Sequence, residues 1–249
     1  MVPSNSLQHL GLTKLLIEPN SVQAVHFDLD GLLADTMPVI VASFQQASFD
    51  LRGIELERGY LERAAGLNDL SFSAQLRREI CADFPYQEVR DLQDKLMWER
   101  FDRDGVSLKP GVLELLELLK GYSVPITVGS GGRQDATEHK LRAAGIDQRF
   151  DCILGGDGVR RGKPDPHTWL RLKNRLEQFG LVPRNAPRSS HLVFGDAEKD
   201  IISARRGQMP SGYVPDIHFD PTVADLASFS FASLKEALKT VESLLLKAA

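Results

Sequence analysis

Four short apolar runs, each broken off by a turn and separated by helical patterns, restrict this chain to very few folds. Gln23-Ala24-Val25-His26-Phe27 runs into Asp28-Leu29-Asp30-Gly31, and Val124-Pro125-Ile126-Thr127-Val128 runs into Gly129-Ser130. Phe150 to Leu154 and His191 to Phe194 are the other two. Strands alternating with helices predict an α/β fold with a Rossmann-like, mostly parallel sheet, helices on both faces and right-handed crossovers. In such sheets ligands bind beyond the C-terminal strand ends.

The first two strands lie about a hundred residues apart, and the pattern between them is helical alone. Ile40, Phe44, Ala47 and Leu51 make one apolar stripe, Phe72, Leu76 and Ile80 a second, and Val89, Leu92 and Leu96 a third. A structureless loop of that length is improbable, so the segment is expected to be an inserted all-helical module. The expected organisation is an N-terminal extension over 1–22, an α/β core from 23–36 and 108–249, and the helical insert at 37–107. Asp35 and Thr36 at its entry and Lys109-Pro110-Gly111 at its exit read as hinges. Ser233 and Glu236 form a capping box that opens the last helix.

Composition narrows the functional classes. Thirty Lys plus Arg stand against 34 Asp plus Glu, a net of −4, without a long basic run, which argues against a nucleic-acid partner. No stretch approaches the roughly 20 apolar residues that span a bilayer, and no secretory signal is read at the N-terminus. Two isolated cysteines, Cys81 and Cys152, fit a reduced, cytoplasmic protein and make no zinc motif.

The chemistry-bearing residues sit at the strand ends. Asp28 and Asp30, one residue apart in extended geometry, project to the same side. Ser130 with Gly131 offers a hydroxyl and backbone N–H groups to anionic oxygens. Lys163 lies in Gly162-Lys163-Pro164 after the third run, and Gly195-Asp196 ends the fourth, with Asp200 one helical turn on. Singly these have ordinary readings: Ser130 as a helix N-cap, Lys163 as a solvated loop lysine, Asp200 as a first-turn acid, His26 as a packed strand residue. Their order on successive, converging strand ends is what points to a site.

In that order the residues resemble the four motifs of the haloacid-dehalogenase-like superfamily, and most closely its helical-cap branch. That branch holds β-phosphoglucomutase, phosphoglycolate phosphatase, pseudouridine-5′-phosphatase and small sugar phosphatases. The motifs are Phe27-Asp28-Leu29-Asp30-Gly31 through Thr36, then Ser130, then Gly162-Lys163-Pro164, then Gly195-Asp196 with Asp200. The resemblance implies that the helical insert is a cap domain and that the activity is Mg²⁺-dependent hydrolysis of a small phosphorylated metabolite, a sugar phosphate or nucleotide-like compound. Asp28 is then the nucleophile that forms an aspartyl-phosphate, and Asp30 the acid and base. Asp28, Asp196, Asp200 and the Asp30 carbonyl hold the metal, while Ser130, Gly131 and Lys163 hold the phosphate. A free Asp has a pKa of about 3.9, so the acid role calls for an environment that keeps Asp30 protonated.

Asp30 also disfavours dehalogenation, because a halide needs no proton. Two alternatives stay open: a phosphosugar mutase of the β-phosphoglucomutase type, and a catalytically idle binding or regulatory relative. The stretch Ala65-Gly66-Leu67-Asn68-Asp69 offers Asn68 and Asp69 as substrate-selecting residues where the mutases carry an arginine, which favours transfer to water. A monomer or small homo-oligomer is expected.

Overall fold

A computed structural model describes residue 15 and residues 17–64, 69–217 and 219–245, with the backbone alone at 69–71. Most of the expected 1–22 extension, and Asn68, therefore lie outside the described residues, as does the side chain of Asp69. Strand β1 (Ala24–Phe27) is fully buried. Helices α1 (Met37–Arg52), α2 (Arg58–Ala64), α3 (Asp69–Glu79) and α4 (Tyr86–Asp104) follow, then α5 (Val112–Gly121) and β2 (Ile126–Gly129). The chain continues through α6 (Gln134–Ala143), β3 (Cys152–Leu154), α7 (His167–Gln178), β4 (His191–Gly195) and α8 (Glu198–Arg206). It ends with β5 (Ser211–Tyr213), α9 (Pro221–Leu226), β6 (Phe229–Ser230) and α10 (Leu234–Leu245).

All pairings within the sheet are parallel, in the order β3-β2-β1-β4-β5-β6. From β1 the chain winds outward to β2 and β3, then returns to lay β4 against the other side of β1. The C-terminal ends of β1 and β4 thus flank the point where the winding direction reverses, the place where such sheets leave a crevice. The central strands are buried and largely apolar because both faces are covered. Phe27, Val128 and Phe194 pack with Leu116 and Val241 of α5 and α10 on one face, and Trp169, Leu172, Val193 and Met209 pack on the other.

The segment between β1 and β2 builds a separate apolar cluster. Val41, Phe44, Ala47, Leu56, Leu61, Leu76, Phe84, Tyr86 and Val89 form its interior, with Phe72 set against Phe44 at 5.3 Å and edge-on to Tyr86 at 5.9 Å. Two stripe residues drop out: Leu51 and Ile80 are exposed, because each sits at the end of its helix, past the last packed turn. Helix α4 leaves this cluster, since Met97 and Phe101 pack into the main core. Where the segment joins the core its two connections run side by side. Asp35 N–H donates to Ser107 O (2.9 Å) and Lys109 N–H to Leu33 O (3.0 Å), while Lys109 Nζ lies 2.5 Å from Asp216 and 3.7 Å from Asp35. The capping pair at α10 is partly rearranged: Glu236 N–H donates to Ser233 Oγ (3.4 Å), but the Glu236 carboxylate accepts from Ala232 N–H (3.0 Å).

Beneath the C-terminal strand ends lies a buried polar group. His26 Nδ1 is 2.7 Å from Thr127 Oγ1, and His26 Nε2 is 2.9 Å from His191 Nδ1, with the two rings stacked. Burial, the His191 ring and Lys173 hold His26 well below the usual imidazole range, and burial with Lys173 pushes His191 down to about 4. Both are neutral in the folded protein. Their contribution to stability is complete above about pH 6.5, the unfolded value, and is lost as pH falls toward 4. Urea unfolding followed from pH 7.5 to 4.5 should show a loss on the order of a few kcal/mol from this pair. The double substitution His26→Leu, His191→Leu should flatten that slope, and an unchanged slope would assign the acid sensitivity elsewhere.

Candidate active site

Each strand end contributes one part. β1 delivers Asp28, and the pairing of Phe27 with Val128 and with Phe194 sets Gly129-Ser130 on one side and Gly195-Asp196 on the other. Asp28 N–H donates to Phe194 O (3.0 Å), which locks the first residue past β1 onto β4. Asp28 is 5% exposed. Asp196 follows β4 directly, and Asp200, in the first turn of α8, is wholly buried. One oxygen from each of Asp28, Asp196 and Asp200 lies within 4.8 Å of the others. Two glycines make that approach possible. A Cβ on Gly195 would collide with the Asp200 side chain, and one on Gly31, whose φ is +87°, would strike the Asp196 carboxylate.

Lys163 reaches this cluster from the loop before α7. It is no solvated loop lysine: its side chain is 3% exposed, and its ammonium pairs with Asp28 and lies 2.7 Å from Asp200 Oδ1. It also donates to Gly129 O at 3.1 Å and sits 5.1 Å from the centroid of the buried Trp169 ring, a cation–π contact that fixes its height above the sheet. Ser130 is buried and its Oγ accepts from Gly132 N–H (3.0 Å); Arg133 occupies the N-cap position of α6 in its place. Gly131 is exposed with open space at its Cα, where an anion can approach the backbone. The ordinary reading of Asp200 holds alongside the other, since its Oδ2 accepts from Ala197 N–H at 3.3 Å.

The electrostatics are those of an over-acidic pocket. Burial raises the Asp28 carboxyl to about 6 against the pull of Lys163, with Asp200 adding to the rise. Burial and the neighbouring Asp28 and Asp200 push Asp196 well above the usual range. Burial alone would lower the Lys163 ammonium, but the Asp200 and Asp28 carboxylates outweigh it and keep it charged. Asp200 Oδ1 is buried 2.7 Å from that ammonium and shares it with Asp28. Three crowded hard-oxygen donors that repel one another fit a small divalent cation such as Mg²⁺.

The Asp30 side chain stands outside this trio. Its Oδ1 accepts from Lys140 Nζ (2.6 Å) and from Thr36 Oγ1 (2.7 Å). Burial pushes its carboxyl up, but Lys140 and Thr36 together prevail and hold it below the ordinary carboxylate range. The acid role calls for a protonated Asp30, whereas in this arrangement a buried lysine on α6 favours the ionised form. Lys140, Thr36 as a partner of Asp30, and Lys199, whose charge acts on Asp28, Asp30 and Asp196, are absent from the sequence-based set. Among the cap candidates, Asn68 falls outside the described residues and Asp69 opens α3 with its side chain undescribed.

The family model of haloacid dehalogenase-like hydrolases matches residues 25–214, which include every strand-end residue described above. A phosphorylated carbohydrates phosphatase of Thermotoga maritima is 23% identical over 90% of this chain and all of its own. A phosphoglycolate phosphatase of Neisseria gonorrhoeae is 28% identical over 74% of this chain and 76% of its own. A β-phosphoglucomutase structure from Clostridium difficile superposes with a TM-score of 0.68 at 19% identity, over 90% of this chain and 97% of its own, a likeness of fold. Among the described residues no helix is long and apolar enough to cross a membrane.

Proposed function

The chain belongs to the haloacid dehalogenase-like hydrolases, and on that footing we propose that it is a Mg²⁺-dependent phosphatase of small phosphomonoesters, sugar phosphates or nucleotide-like metabolites. The observation that carries this reading is one carboxylate, Asp28, set at the end of the central strand between a buried lysine and two further acids, with a second, separate carboxylate two residues on. The phosphatase names of the relatives in Thermotoga and Neisseria support the same reaction class.

Asp28, Asp196, Asp200 and the Asp30 carbonyl would hold the metal, which when bound neutralises the carboxylates that otherwise repel a phosphate dianion. An Asp28 oxygen forms the new bond to phosphorus as the ester P–O bond breaks, giving an aspartyl-phosphate and a leaving alkoxide. Asp30, ionised against Lys140 in the free protein, first takes a proton from solvent and then supplies it to that alkoxide. It then takes one from the water whose oxygen attacks phosphorus, releasing inorganic phosphate and restoring Asp28. Lys163, Ser130 and the Gly131 N–H hold the non-reacting phosphoryl oxygens, where fixed donors stabilise developing charge. Helices α1 to α4, inserted between β1 and β2, would form the cap that chooses the ester.

Purified protein should release phosphate from members of a panel of sugar phosphates, phosphoglycolate and nucleoside monophosphates. Release should be lost on chelation and recovered with added Mg²⁺. Isomerisation of a hexose 1-phosphate without phosphate release would overturn the reading in favour of a mutase.

A further inference from the structure

Lys140 occupies a place where its residue type is costly. It lies on the inward face of α6 with Thr137 and Leu141, at 6% exposure, where the helix pattern calls for an apolar residue. Burying an ammonium there is unfavourable unless a well-placed partner offsets the lost hydration. That partner is Asp30, 110 residues away in the chain, whose Oδ1 lies 2.6 Å from Lys140 Nζ.

Thr36 gives up an ordinary role for the same oxygen. It stands at the N-cap position of α1, where a threonine hydroxyl normally accepts from the first turn, yet it makes no capping bond. Its hydroxyl donates to Asp30 Oδ1 at 2.7 Å instead. A forgone cap lowers the stability of the helix it opens. Two residues on two different helices are thus spent on one carboxylate oxygen that belongs to neither the acid trio nor the helix ends.

From this geometry we infer that Lys140 is a positioning residue for leaving-group protonation: with Thr36 it pins Oδ1 of Asp30 so that Oδ2 is the oxygen presented to the departing alkoxide. The inference rests on the phosphatase reading and deepens it. A carboxylate held by two donors on one oxygen loses its freedom to rotate about the Cβ–Cγ bond, which is the freedom that would turn it toward the nearby cation site. Positioning of this kind matters only when the leaving group needs a proton. Alkyl phosphates leave as strongly basic alkoxides, whereas 4-nitrophenyl phosphate leaves as a stabilised phenolate.

The test compares kcat/KM for an alkyl phosphate that the wild type hydrolyses with kcat/KM for 4-nitrophenyl phosphate, in wild type and Lys140→Met, alongside their melting temperatures. Hydrolysis of the aspartyl-phosphate follows departure of the leaving group and does not enter kcat/KM, so the comparison isolates the protonated step. The expected result is a loss of roughly 10²-fold or more with the alkyl ester and of less than about tenfold with the aryl ester. Equal losses with both esters, or none with either, would overturn the inference and leave Lys140 a purely structural ion pair. Should Lys140→Met fail to fold, Lys140→Gln, which keeps a donor but no charge, is expected to show the same contrast at smaller amplitude. A wild type that hydrolyses neither ester removes the phosphatase reading itself, an outcome distinct from a wild type active on both whose variant shows no contrast.

Discussion

Asp28→Asn lowers kcat for phosphate release by at least roughly 10⁴-fold, the scale on which removing a nucleophile acts. The protein remains folded. The carboxamide has the shape of the carboxylate, the backbone N–H bond from residue 28 to Phe194 O is untouched, and Lys163 keeps Asp200 as its partner. Burial and Asp200 already hold the Asp28 carboxyl at about 6, so the native charge is itself unfavourable in the metal-free pocket. The variant should therefore melt within a few degrees of wild type, or above it, in the absence of Mg²⁺. Retained activity would reject Asp28 as nucleophile, while a collapsed melting transition would reject the electrostatic account of the pocket.

Lys163→Met lowers stability as well as rate. The ammonium is the buried counter-charge between Asp28 and Asp200 and rests on the Trp169 ring, so its removal strands carboxylates in a site that water hardly reaches. Breaking a buried pair from one side costs about 3–5 kcal/mol, and losing a fixed donor to the transferring phosphoryl group costs about 10²–10³-fold in kcat. The stability loss carries a sign that can be checked. Without Lys163 the Asp28 carboxyl, already raised by burial against the pull of that lysine, stands further above its unfolded value, and Asp196 is raised as well. A group raised in that way favours the fold while protonated and loses its contribution as pH rises. Denaturant midpoints of Lys163→Met should fall furthest below wild type at alkaline pH and approach it toward pH 5. A pH-independent gap would mean that packing, and not charge, is what the lysine supplies.

The parts of the site legible in the sequence are those the sheet itself assembles. Asp28, Ser130, Asp196 and Asp200 each follow a strand, and parallel pairing carries such residues to one edge wherever the strands are read correctly. Lys163 was legible from its place after the third run, though not its burial, which comes from Trp169 and the two acids beneath it. Lys140 was not legible: a lysine inside a helix reads as solvent-facing, and its partner lies 110 residues away, a separation no local pattern encodes. The same contact favours an ionised Asp30, where the acid role calls for a protonated one. The outer strands were missed for a different reason. Ser211-Gly212-Tyr213 and Phe229-Ser230 are too short to show alternation, and exist as strands because β4 and then β5 offer them an edge.

The central claim is covalent chemistry at one carboxylate. Quenching the enzyme in acid during turnover of a hydrolysed phosphomonoester, and mapping its peptides by mass, tests it directly. The account predicts a phosphoryl group on the peptide that contains Asp28, at that residue, and none in Asp28→Asn. Sustained phosphate release from protein that never carries the label would mean that water attacks the ester directly, and would contradict it.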